Sequence, residues 1–550
     1  MTDWRMVLLA IFAAVGAAAL APAPWAPGSG MLEVTRDGVP WISGPIVLDA
    51  GPEQTLIGSG GAATIAARTG QSARVAVNLQ ADEPLSMETV RVALTLADGR
   101  SELVPLTRAH PDGTLSAARR PPAHAPVMLG LLALVVLLWV SEALPLHVTS
   151  LLVPIVLVTA GAAPAGPALA PFFHPIIALF FGAFLLAAAI HRVGLDHLLA
   201  VGVIHVAGRS PVRLYSALLL LSAFLSMWMS NTAAAAVLIP IAIAISTPLD
   251  DLPYRKTLVL GIAYAATIGG VGSAIGTPAN PIAIAFLQDT AGRTVTFAQW
   301  FAFGLPMVVL FLPVMGLVLW RSQRVRLDPD RFHRAVEVAQ AEWRALPPLS
   351  RPQWTVLAVL AVTVIAWLTD RWHGVHSGIV ALAAAVALTA LGTVGTRELR
   401  GISWESLLTF GGGLTLGSFL ASTGMSDWVA TRMEAFAAVP GSVAIALVAA
   451  LALGLTTVAS NTASAAVLVP LAIPLAAVLG VDPVVLVLVV AIASSVDFAL
   501  VIGTPPTMMA YSTRLFTAGE IFRVGIVLDV LGILLLVTAV VGSWRLLGLV

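Results

Sequence analysis

The 550-residue chain contains no cysteine. That excludes disulfides, thiolate metal sites and cysteine nucleophiles, and any part outside the cell must hold together without covalent staples. Charge is the second scarcity: 11% of residues are Asp, Glu, Lys or Arg, against about a quarter in soluble domains. The 29 basic residues balance the 29 acidic ones, so net charge points to no nucleic-acid partner. What remains is apolar. Hydrophobic residues make up 58% of the chain and mean hydropathy is +0.94, the composition of a polytopic membrane protein.

The first apolar run, Met6 to Leu20, follows Trp4-Arg5 and ends in Ala-Pro-Ala-Pro-Trp25. It suits a short first span within residues 1–27, and its small residues near Ala21 also suit a signal-like segment; the uncleaved span is the reading taken. Residues 28–122 differ from everything after them, carrying Gly, Pro and charge with period-two alternation at 73–79 and 89–96. They predict a small β-rich domain outside the membrane, with Asp82, Glu83, Glu88 and His110 as solvated residues.

From Val127 onward, apolar runs of spanning length alternate with short polar links. The spans are read at 127–142, 146–163, 171–191, 255–287, 298–320, 353–369, 376–394, 404–423, 483–512 and 524–548, with apolar hairpins at 211–248 and 441–479. With the first span this gives about 11 crossings. If both hairpins re-enter without crossing, most Arg residues and Lys256 face one side, which places the amino terminus in the cytoplasm and residues 28–122 and the carboxyl terminus outside. Residues 321–352, with Arg321, Arg324, Arg326, Arg331, Arg334 and Arg344 among Asp328, Asp330, Glu337 and Glu342, predict a cytoplasmic amphipathic linker.

That linker joins two copies of one pattern, residues 123–320 and 353–550. Ser230-Asn231-Thr232 runs on to Pro240 in the same way that Ser460-Asn461-Thr462 runs on to Pro470, 230 positions later. The same offset lays Phe180-Phe181-Gly182 on Phe410-Gly411-Gly412 and Gly194-Leu195 on Gly424-Met425; an offset of 227 lays Gly276-Thr277-Pro278 on Gly503-Thr504-Pro505. Counting crossings, the copies are inverted in the membrane. Inverted repeats with interrupted helices predict a secondary transporter with its site near the midplane.

A single Ser-Asn-Thr in an Ala-rich helix is ordinarily helix–helix contact; its repetition points to a site. Each triplet precedes a helix-forming stretch, so Ser230 or Asn231, and Ser460 or Asn461, can cap a half-helix whose free N–H groups favour an anion. Thr277 and Thr504 read as caps too, with Pro278 and Pro505 as first helical residues and Gly276 and Gly503 permitting the break. Free carbonyls at the ends of the preceding half-helices suit a hard cation such as sodium. Ser226 and Thr456 lie one helical turn before the triplets, so each copy can offer hydroxyl, Asn carbonyl and loop carbonyl oxygens to one ion. Asp497 is a carboxylate within a span and a candidate for cation or proton coupling, its alternative being a cap or a buried pair. Glu142, His174, His191, Glu405 and Asp529 read as residues of the membrane interface.

The paired Ser-Asn-Thr hairpins and Gly-Thr-Pro loops resemble the divalent anion/sodium symporter family, which carries dicarboxylates, citrate or sulfate, over about residues 127–550 plus the first span. The loops here end Pro278-Ala279-Asn280 and Pro505-Pro506-Thr507, where the family's usually end Pro-Pro-Asn. The resemblance implies an all-α elevator-type fold with two re-entrant hairpins, a homodimer, and two sodium sites: Ser226, Ser230, Asn231 and the Gly276 carbonyl, and Thr456, Ser460, Asn461 and the Gly503 carbonyl. Substrate would rest on Ser230-Asn231-Thr232, Ser460-Asn461-Thr462, Thr277-Pro278 and Thr504-Pro505. The expectation is a sodium-coupled importer of a small dianion in the cell (inner) membrane, dicarboxylate ahead of sulfate, with no covalent chemistry and no organic cofactor. An anion exchanger of the same fold and a receptor that has lost transport stand as alternatives.

Overall fold

The computed structural model describes residues 4–19, nine strands between 29 and 119, and residues 124–549 apart from 208–209, 326–331, 333–342, 345 and 433–438. The linker expected to be an amphipathic helix falls mostly outside the described residues. Within it, the Trp343 ring stacks on His205 at 5.5 Å and lies against Gly202.

The nine strands are β1 Ser29–Arg36, β2 Val39–Val47, β3 Gln54–Gly58, β4 Gly61–Arg68, β5 Arg74–Ala81, β6 Val90–Leu96, β7 Ser101–Val104, β8 Leu106–Ala109 and β9 Leu115–Arg119. They form two antiparallel sheets, in the orders β2-β1-β6-β7 and β3-β4-β5-β9-β8. Alternation sets the buried face: Val34 pairs with Ile42 and with Val92, and Ile65 pairs with Val77, all buried.

The other described residues are mostly helical. Helix α1 is Trp4–Ala19; the first copy holds α2 Ala125–Ser141, α3 Leu146–Thr159, α4 Ala165–Leu169, α5 Pro175–Arg192, α6 Leu195–Ala207, α7 Pro211–Ser226, α8 Asn231–Ser246, α9 Leu252–Gly269, α10 Ala279–Asp289 and α11 Phe297–Ser322. The second copy holds α12 Arg351–Leu368, α13 Asp370–His373, α14 Ser377–Ala390, α15 Thr396–Gly401, α16 Trp404–Ser422, α17 Met425–Thr431, α18 Gly441–Val458, α19 Asn461–Leu479, α20 Pro483–Ala493, α21 Pro505–Ser512, α22 Ala518–Leu535 and, after a π turn at Leu536–Val540, α23 Val541–Leu546. Among the described residues, seven helical stretches are long and apolar enough to cross a membrane. Outward-facing Val362 and Val530 are exposed; such faces match lipid as they would not match water.

Two boundaries differ from the sequence expectation. The final span begins at Ala518, because Thr517 and Glu520 form a capping box and Lys256 Nζ holds the Glu520 carboxylate at 2.6 Å. Helix α6 occupies a stretch expected to be a link, its short length hiding it from a search for spans.

The two copies exchange partners. Helix α5 crosses α14, and its counterpart α16 crosses the counterpart of α14, which is α3. At the first crossing Gly182 lies on the Ala381 carbonyl, and at the second Gly412 lies on Ser150. Both contacts run against backbone, and only a residue without a side chain fits there. Gly182→Val and Gly412→Val are each expected to destabilise by roughly 1–3 kcal/mol or more, the cost of overpacking. Gly519, with nothing near its missing side chain, serves as the control. Thermal unfolding in detergent, comparing these variants with Gly519→Ala, reads the difference.

Candidate functional site

The interior between the copies is polar by membrane standards. Ser226, Thr267, Thr277, Asn280, Thr456, Ser494, Ser495, Asp497, Thr504, Thr507 and Asp529 are all buried, and each needs a partner because an unsatisfied polar group in an apolar setting costs several kcal/mol.

Two half-helix starts meet this need in the same way. Ser230 caps α8 by accepting the Ala233 N–H at 3.2 Å, and Ser460 caps α19 by accepting the Ala463 N–H at 3.2 Å. The serine is therefore the cap in each copy, which frees Asn231 and Asn461 to turn back along the chain. Ser226 Oγ stands 2.6 Å from both the Ala266 carbonyl and the Asn231 side-chain amide; Thr456 Oγ1 stands 2.8 Å from both the Ser494 carbonyl and Asn461 Oδ1. The Asn231 amide sits 3.1 Å from the Gly276 carbonyl and 3.2 Å from that of Ala266. With its nitrogen inward it donates to both carbonyls. With its oxygen inward it completes a cluster of oxygens that a hard cation can hold together, the donor set sodium prefers.

The Gly-Thr-Pro loops depart from expectation. Neither Gly276 nor Gly503 has a positive φ. Their role is close approach: Gly276 lies on Gly270 and the Ser226 carbonyl, and Gly503 lies on the Asp497 carboxylate. Thr277 is not a cap, since α10 starts at Ala279 with Pro278 in the cap position; Thr504 holds the cap position of α21, with Pro505 first in the helix, but its hydroxyl caps nothing. Both hydroxyls reach the other copy: Thr277 Oγ1 lies 3.3 Å from Ser495 Oγ, and Thr504 Oγ1 lies 3.4 Å from Thr267 Oγ1 as well as 2.9 Å from Thr507 Oγ1 of its own copy. Asn280 Nδ2 secures the first loop by donating to the Gly270 and Ser273 carbonyls.

One cavity of about 610 Å³ is lined by Ser230, Asn231, Thr232, Gly276, Thr277 and Pro278 from the first copy and by Ser460, Asn461, Thr462, Gly503, Thr504 and Pro505 from the second. Ser226 and Thr456 stand behind it, buried against the asparagines. Its wall also includes Phe180, Phe184, Ser403, Ser406 and the His191–Asp196 pair, joined at 2.6 Å. Phe180 enters the sequence reading only through the repeat and His191 only as an interface residue, while Phe184, Asp196, Ser403 and Ser406 went unpicked because none sits in a repeated motif.

Asp529 corrects another expectation. It is buried in the middle of α22, not at an interface, and its carboxylate accepts the Phe498 N–H at 2.8 Å and the Ala499 N–H at 3.2 Å. Starting the last span at 524 had placed it near an end; a carboxylate within Val527-Leu528-Asp529-Val530-Leu531 was the available signal. Tyr264 holds the same stretch by donating its hydroxyl to the Phe498 carbonyl at 2.8 Å.

The family described as the sodium:sulfate symporter transmembrane region matches residues 117–550. This chain is a member of the divalent anion/sodium symporter family. An uncharacterized transporter of Haemophilus influenzae is 35% identical over 426 residues, 74% of this chain and 90% of that protein. The sodium-dependent dicarboxylate transporter SdcS of Staphylococcus saprophyticus is 28% identical over 436 residues, 73% of this chain and 83% of its own. Among solved structures, that of Neisseria gonorrhoeae MtrF aligns with a TM-score of 0.47 at 13% identity, over 67% of this chain and 80% of that one, a likeness too slight to carry an argument. The first 116 residues, with β1 to β8 and the start of β9, lie before the family match.

Asp529→Ala leaves two buried N–H groups without an acceptor, at about 1–3 kcal/mol for each. The expected result is a lowered thermal midpoint in detergent, with Asp529→Asn, which keeps one acceptor oxygen, in between.

Proposed function

We propose that the protein is a sodium-coupled importer of a small dianion, with a dicarboxylate such as succinate or malate ahead of sulfate. The observation that carries this reading is the convergence of both Ser-Asn-Thr triplets and both Gly-Thr-Pro loops on a single cavity. Its volume falls in the roughly 300–1,000 Å³ range of small-molecule sites. The capped starts of α8 and α19 bring N–H groups and a positive dipole end to each side, so one carboxylate can rest at each. A dianion with two separated charges uses both ends; sulfate presents one compact charge to a site with two poles.

Sodium enters as a co-substrate. In the first copy the Ser226 hydroxyl, the Asn231 side chain and the Gly276 carbonyl hold it, beside the Ser230 cap; in the second Thr456, Asn461 and Gly503 do, beside Ser460. Each cation neutralises part of the charge of the neighbouring dianion, and the asparagines, touching both the cation set and the cavity, link the two bindings. A cavity shared between copies that exchange partners supports alternating access by an inverted repeat. On the family's pattern the transport unit moves as an elevator within a homodimer. The protein lies in the cell inner membrane with its amino terminus in the cytoplasm, and residues 28–122 and the carboxyl terminus lie outside.

Purified protein is expected to melt at higher temperature in sodium chloride than in choline chloride, and higher again when succinate is added with sodium, because a ligand that binds only the folded state stabilises it by mass action. Ser226→Ala and Thr456→Ala should each raise the sodium concentration needed. No shift with succinate, malate, citrate or sulfate in sodium would overturn the reading, and counterflow of dicarboxylate without any sodium gradient would replace it with exchange.

A further inference from the structure

The two half-sites differ at one decisive position. Gly276 of the first loop packs on Gly270, and Gly503 of the second packs on Asp497, so Asp497 stands where the first copy has Gly270. A side chain added at Gly270 would meet Asn231 Oδ1 and the Gly276 carbonyl, which are the oxygens assigned above to the first cation. By the same exchange the Asp497 side chain belongs to the second cation's surroundings, and its Oδ2 fills the place that a side chain on Gly503 would take.

The chemistry of Asp497 is unsatisfied. Its side chain is fully buried, and neither carboxylate oxygen has a hydrogen-bond partner. Among the described residues, no Lys, Arg or His forms an ion pair with it. The N–H groups next to it in the chain, those of Phe498 and Ala499, are taken by Asp529. One turn back, Ser494 Oγ is also buried and without a partner, where the first copy has Ala266. The second copy thus holds three unpartnered side-chain oxygens, on Ser494 and Asp497, in the stretch that begins with the Ser494 carbonyl to which Thr456 is bonded. The Ser494 hydroxyl is the one donor among them, and it too has no partner. Unpartnered oxygens gathered in a membrane interior suit a cation, and a carboxylate buried at such cost marks a functional site.

We propose that Asp497 is a ligand of the second cation site and gives that half a full negative charge that the first half lacks. This rests on the sodium-coupled reading above and deepens it: the two sodium ions are bound by unlike sites, one made of neutral oxygens and one anionic. A monovalent cation is held more tightly at the second, and Ser494 Oγ is within the same oxygen-rich wall.

The test is sodium-dependent thermal stabilisation of the full chain in detergent, titrated with sodium chloride at ionic strength held constant with choline chloride. Each protein is compared with its own sodium-free midpoint, so a purely structural effect of the substitution drops out. Asp497→Asn and Asp497→Gly, the latter copying Gly270, are expected to raise the half-saturating sodium concentration at least tenfold. Variants that titrate as the parent does would overturn the assignment and leave the transport reading intact. A parent that sodium does not stabilise would overturn both. Where the variants do not fold, modification of Asp497 in the parent by dicyclohexylcarbodiimide, read by peptide mass, decides: sodium slows it if Asp497 is a ligand, and equal rates in sodium and choline reject the assignment.

Discussion

A helix interrupted inside an apolar bilayer exposes backbone groups that no water can reach, and the interior is arranged around that constraint. Four interruptions face it, and each has its own answer. Serine hydroxyls cap α8 and α19. Asn280 reaches back to two carbonyls of the first loop. In the second loop, where Thr507 stands in place of such an asparagine, Asp529 and Tyr264 act from outside the loop and hold Phe498 and Ala499 by their N–H and C=O groups. The groups left over after this accounting, carbonyls on one side and capped N–H groups on the other, are the ones a cation and an anion can use.

The duplication gives the site its form, and divergence between the copies gives it its chemistry. Pairs that bridge the copies recur in exchanged order, Thr277 with Ser495 and Thr504 with Thr267, as expected where two like units face each other about a two-fold axis. From Ala266 to Gly276 is ten positions, whereas from Ser494 to Gly503 is nine. This one-residue difference falls between the hydroxyl-bound carbonyl and the loop glycine, in the stretch where Gly270 gave way to Asp497. The symmetric scaffold therefore carries an asymmetric pair of polar clusters.

Much of this was legible in the sequence. Repetition revealed the triplets and the loops, because a polar triplet in an Ala-rich run is uninformative once and informative twice. Hydropathy gave the helical class and the half-helices near their observed ends. What stayed hidden depends on three-dimensional approach. The Thr-Pro grammar suggested caps, but the hydroxyls of Thr277 and Thr504 found partners on the other copy, which no local pattern encodes. Gly276 and Gly503 read as permitting the break before each half-helix and proved to be contact surfaces. Asp529 was misplaced because Glu520 and Arg523 read as a polar link, when an ion pair with Lys256 and a capping box carry the helix through them.

The backbone-on-backbone crossings at Gly182 and Gly412 also govern the order in which the chain can be completed. Helix α5 finds its crossing partner α14 only when Ala381 has been made, about 200 residues after Gly182, and at roughly 5–20 residues per second that is a delay of about 10–40 seconds. Through that interval the glycine face of the first copy lacks its native crossing partner. The nascent first half is thus a substrate for whatever holds membrane segments in waiting, and its assembly is finished by its own duplicate.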